Sequence, residues 1–111
     1  MKAKVEIDAG VCGFQTVASA TSLDDQNVSF DVHSDCEKIH NLAAALNDKG
    51  LIDAYQEISP AQQGAVMQTA GAVLKGCCAA CAVPVGLFKA MQIAAGLALP
   101  KDISVRLTKE S

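Results

Sequence analysis

A change of hydrophobic period near residue 34 constrains this chain more than any other feature. Before it, apolar residues recur at every second position: Ala3, Val5 and Ile7 alternate with Lys2, Lys4, Glu6 and Asp8, and Val28, Phe30 and Val32 alternate with Ser29, Asp31 and His33. A period of two suits a strand with one buried face. Residues 14–22 supply a weaker strand between them, and Asp24-Asp25-Gln26-Asn27 a polar turn. The first third of the chain is thus expected to form a three-stranded antiparallel meander.

Beyond it the signals are helical. Ser34-Asp35-Cys36-Glu37 matches a capping box, Ile39, Leu42, Ala43 and Leu46 form an apolar stripe, and Gly50 is placed to end the helix. Residues 51–58 read as a short helix or connector. Ser59-Pro60-Ala61-Gln62 repeats the start signal for a helix reaching about Gly76, and Pro84 begins a last helix running to about Leu97, with Pro100 blocking its continuation. Ile103, Val105 and Leu107 then alternate with Ser104, Arg106 and Thr108, which predicts a C-terminal strand. The expected fold class is α+β: a three-stranded antiparallel meander, a helical block, then a fourth C-terminal strand, with helices on one face of a four-stranded sheet. The length of 111 residues, 50% hydrophobic, suits a single domain over residues 1–111.

Charge and composition remove several functions. A net charge of −3, no Trp, one Tyr and three Phe give nucleic acid neither a basic surface nor a stacking platform. The opening MKAKVEIDAG lacks the apolar core of a secretory signal, so the expected compartment is cytoplasmic. Residues 78–99 carry one charge, Lys89, and are long enough to span a bilayer. They are rich in Ala, Gly and Cys and include Pro84 and Gln92, so no membrane partner is expected. Neither a Ser/His/Asp set, a carboxylate pair nor a phosphate-binding glycine loop is present, and no substrate is indicated.

Five cysteines carry what chemistry there is. An odd count in a reducing compartment favours metal binding or thiol chemistry over a disulfide framework. If the strands alternate in direction, Cys12 after the first and Cys36 after the third share one sheet edge. A helix descending from Asp35 and one climbing from Pro60 return Cys77, Cys78 and Cys81 to that edge. Cys78-Ala79-Ala80-Cys81 has the C-x-x-C spacing of a two-thiolate ligand pair, Gly10 and Gly13 flank Cys12, and Cys36 lies where a helix start stabilises negative charge. The expected site comprises Cys12, Cys36 and Cys81 with Cys78 as fourth ligand and Cys77 as its alternative. Four thiolates suit zinc or an iron–sulfur cluster, and three separated loci lined by Gly and Ala leave room for the bulkier cluster, a 4Fe–4S centre. The alternatives are a zinc-stabilised interaction module and a metal-free thiol redox protein.

Other features have plainer readings. His40, one turn after Cys36, and His33 are expected to be ordinary surface residues, and Lys89 to reach solvent. Small residues on the last two long helices, among them Gly64, Ala70, Gly71, Ala90 and Ala94, allow close helix packing, and the surplus of apolar surface predicts a homo-oligomer formed through these helices.

The segments GVCGF, SDCEKI and CAVPVGLFKAMQIAAGLALPKD resemble a little-studied family of small cysteine-containing single-domain proteins of anaerobic bacteria and archaea. The resemblance implies an anaerobic, cytoplasmic setting, which favours an oxygen-sensitive iron–sulfur centre over zinc, and makes Cys12, Cys36 and Cys81 the shared thiols. Electron transfer, cluster handling or sensing would then be the role, with a redox protein as partner.

Overall fold

The computed structural model describes residues 1–59 and 64–110. Its three N-terminal strands, β1 (Lys2–Asp8), β2 (Gln15–Ser22) and β3 (Asn27–Ser34), form the expected meander, and with a short β4 (Ile52–Asp53) the sheet has four antiparallel strands in the order β1-β2-β3-β4. Cross-strand partners such as Ala3 with Ala20, Val5 with Ala18, and Ala20 with Phe30 share a face. Ala18, Ala20, Val28 and Phe30 are buried there, whereas Lys2, Lys4, Glu6 and Asp31 on the opposite face are exposed. All helices that contribute to the core therefore pack on one side, and the fold is α+β.

The fourth strand is a correction to the expectation. β4 is Ile52–Asp53, which pairs with Val28 and Asn27, while the run Ile103, Val105, Leu107 forms no strand and lies exposed. A two-residue strand has no period to read, so pairing alone defines it. Asp53 also caps α2 (Ala54–Glu57): its carboxylate accepts from the amides of Tyr55 at 2.9 Å and Gln56 at 3.3 Å.

The first long helix, α1 (Glu37–Asn47), buries Ile39, Leu42 and Leu46 as its stripe requires. Its N-cap is Cys36 and not Ser34, and no side chain caps it. Ser34 is held as the last residue of β3, paired with Thr16, and its hydroxyl accepts from Thr16 Oγ1 at 2.9 Å and from the Cys36 amide at 3.2 Å. Strand pairing thus displaces the capping box. Gly50 takes the left-handed φ of +71°, three residues beyond the helix.

α3 (Ala65–Val73) follows; the start signal at Pro60-Ala61-Gln62 lies outside the described residues. The cap here comes from outside the helix. Glu57, buried at 7% exposure, accepts from the amides of Ala65 and Val66, each at 2.7 Å. After a 3-10 turn, Gly76–Cys78, α4 (Val83–Ala94) begins with Pro84 in its first turn, as expected, and ends three residues earlier than expected. Gly76–Ala94 is long and apolar enough by length and composition to cross a membrane, but the helix is interrupted at residues 79–82 and α4 buries Val83, Leu87, Ala90, Met91 and Ala94 against the core. Lys89 is exposed as expected.

The course of α4 is fixed at both ends. Gly86 lies so close to β1 that a Cβ there would meet Ile7 Cδ1 at 2.4 Å, while a Cβ on Gly96 would lie 3.1 Å from Met1 Cε. The helix therefore runs antiparallel to β1, with its start at the Ile7 end. At the opposite end the β2–β3 turn is organised by Asp24, whose carboxylate accepts from the Asn27 amide at 2.8 Å, Asn27 Nδ2 at 2.9 Å and the Gln26 amide at 3.0 Å. Bonds from the Asn27 side chain and backbone lower its pKa to about 2.

Candidate functional site at the cysteine end of the sheet

Cys12 sits in the β1–β2 turn, residues 9–14. Gly10 and Gly13 hold left-handed φ values of +90° and +75°, the Gly13 amide donates to the Gly10 carbonyl at 2.9 Å, and Asp8 Oδ1 accepts from the Gly10 amide at 3.0 Å. No atom lies within 4 Å of a Cβ built on either glycine, so backbone conformation and not space requires glycine here. The turn carries Cys12 and Val11 out into solvent.

Because β1 leaves the sheet where β3 does, Cys36 lies at the same end. It is half-buried against the core, and its carbonyl accepts the His40 amide at 3.0 Å to close the first turn of α1. The third locus is tied to this one directly: Lys38 Nζ donates to the Lys75 carbonyl at 3.1 Å, bringing the entry of the Gly76–Cys78 turn to the start of α1. In that turn Cys78 points inward, half-buried against the core, while Cys77 is exposed. The Cys81 amide donates to the Cys78 carbonyl at 3.1 Å, and Cys81 is again half-buried, two residues before α4 starts beside the Ile7 end of β1. The loci expected to share one edge are thus all carried there.

Placement at one end is not coordination. All five cysteines are free thiols, and among the described residues no group of three or more His, Cys, Asp or Glu is arranged to hold a metal ion. The donor set fits a soft metal in kind and number, but the loops do not place it in a ready-made coordination shell. Cys36, Cys78 and Cys81 face the protein, and Cys12 and Cys77 face water.

Beside Cys36 a shallow cleft of about 350 Å³ is lined by Gln15, Val32, His33, Ser34, Asp35 and His40. The histidines are engaged as ordinary surface residues: His40 Nε2 bonds the Ser34 carbonyl, and His33 Nε2 lies 3.2 Å from Asp31 Oδ1. Sequence reading missed Glu57 and Asp53, which cap helices and take no part in this end. Asp53, just before the first residue of its helix, had a local signal; Glu57, acting eight and nine residues ahead, had none.

No curated protein and no solved structure matches the chain. A family model matches residues 3–107, from the start of β1 to the end of the alternating C-terminal run, and the chain accordingly belongs to a family of unknown function, DUF6951.

Proposed function

We propose that the cysteine end of the sheet is a thiolate site that takes up a soft metal centre, an iron–sulfur cluster in preference to zinc. The observation that carries this reading is the delivery of three separate cysteine loci to one end of the fold, with Cys36, Cys78 and Cys81 turned inward and Cys12 on the turn between Gly10 and Gly13. The half-burial of Cys78 beside Cys81 supports its choice as fourth ligand over the exposed Cys77. Binding would then organise the loops, as metal binding commonly does where no preformed site exists. The role is electron transfer, cluster handling or sensing in an anaerobic cytoplasm, with a redox protein as partner.

Protein purified without oxygen should be brown and contain iron and acid-labile sulfide, and Cys12→Ser, Cys36→Ser and Cys81→Ser should each lose most of that iron. Full iron in all three variants refutes the assignment. Colourless protein with stoichiometric zinc supports a zinc-stabilised module instead. One observation favours a second reading: the thiols form no metal-holding group as they stand, and Cys78 and Cys81 are linked through one turn. Metal-free anaerobic protein whose Cys78 and Cys81 interconvert between dithiol and disulfide would establish a thiol redox protein.

A further inference from the structure

Residues 103–107 have the composition of a strand, and among the described residues no strand pairs with them. Ile103, Val105 and Leu107 are 55%, 79% and 90% exposed, yet they alternate with Ser104, Arg106 and Thr108 as a half-buried strand would. The segment is no appendix, since the family model runs through it to residue 107. Residues 98–110 are all exposed and belong to no helix or strand.

The complementary defect is in the sheet of the same molecule. β1 is the first strand in the sheet order, and among the described residues no strand pairs with its outer edge. Its inward residues Val5 and Ile7 are only half-buried, although their β2 partners Ala18 and Thr16 are 1% and 2% exposed. The covered face thus stops one strand short of closing over β1. The other margin is different: β4 already occupies the start of β3, and Val28 and Phe30 there are buried.

We propose that residues 103–107 of one copy add as a fifth strand along β1 of a second copy, reciprocally, so that each chain completes the other's sheet. Ile103, Val105 and Leu107 then lie on the face of Val5 and Ile7, and Arg106 lies on the polar face that carries Glu6 and Asp8. A second copy is the occupant because the chain's own β1 edge stands open and its own segment does not take it. Pairing removes two liabilities at once, an unpaired edge and an exposed apolar run. The assembly is held by the C-terminal segment and not by the apolar helices, since α4 already turns its apolar face to the sheet.

Light scattering of the reduced chain at tens of micromolar should give twice the chain mass of 11.5 kDa. Neighbouring amides of a strand point to opposite sides, so Val105→Pro and Arg106→Pro, made separately, place one proline on the pairing side. At least one should halve the mass and remove hydrogen-exchange protection from residues 103–107 and from those β1 amides directed away from β2, without altering the circular dichroism of the helices. A monomeric parent chain overturns the proposal, whether residues 103–107 are unprotected or are protected by folding onto their own β1. A dimer that persists in both proline variants overturns it too.

Discussion

Replacing Glu57 by alanine tests how α3 is held. Its two carboxylate oxygens accept from Ala65 and Val66, and the bond to the Val66 amide is buried. A hydrogen bond to a charged group contributes about 1.5–3 kcal/mol, and a lost N-cap about 0.5–2 kcal/mol. Since one carboxylate serves both amides the values do not simply add, and Glu57→Ala should lose about 2–4 kcal/mol, a large part of the 5–15 kcal/mol typical of a domain. Glu57→Gln keeps one acceptor and should lose roughly half as much. Gly64 provides the internal control. A Cβ there would lie 2.0 Å from Glu57 Oε2, so Gly64→Ala must push the carboxylate off the helix start. In the parent it should reproduce most of the Glu57→Ala loss, and in the Glu57→Ala background it should lose far less. Urea unfolding followed by far-ultraviolet circular dichroism gives all four values. A Glu57→Ala loss below about 0.5 kcal/mol, the scale of an ordinary surface change, or strict additivity with Gly64→Ala, would refute the capping argument.

Three further outcomes follow from the same geometry. Asp24 titrates at about 2 when folded against 3.8 ordinarily, so its contribution is fully present above pH 3.8 and disappears as pH falls through about 2. Asp24→Asn should flatten the stability profile across that window, and an unchanged profile argues against the turn network. Gly86→Ala sets a helix-propensity gain of about 1 kcal/mol against overpacking of about 1–3 kcal/mol at Ile7. A net loss is expected, relieved when Ile7→Val is added, and calorimetric melting of the single and double variants reads the sign. In metal-free native protein a thiol reagent should modify Cys12 and Cys77 quickly and Cys36, Cys78 and Cys81 slowly; five equal rates would contradict their placement.

The meander was legible because its signals are local: a period of two in β1 and β3 and an acidic turn between β2 and β3. Direction then followed from antiparallel alternation, which is why the shared edge of Cys12, Cys36 and Cys81 was legible too. Pairing choices were not. Ser34 carries a helix-cap signature, but the same residue is hydrogen-bonded to Thr16 across the sheet, and the non-local contact prevails. Residues 52–53 form a strand only because Asn27 and Val28 are available to them. The run at residues 103–107 shows the converse, since alternation records that one face is suited to burial and carries no information on which chain buries it. Whether thiols that reach one end also close into a ligand shell depends on loop conformations and side-chain rotamers, which spacing does not encode.

The Gly10 and Gly13 turn, the cap of α1 and the link between Lys75 and α4 have one property in common: each joins elements without belonging to a sheet ladder or an α-helix interior. Every cysteine lies in such a connector. The thiols and the residues that hold the fold meet only where Cys36, Cys78 and Cys81 pack against the core, since Cys12 and Cys77 are exposed. Exchange of Cys12 or Cys77 should therefore leave the sheet and α4 undisturbed, whereas exchange of the other three should also cost packing.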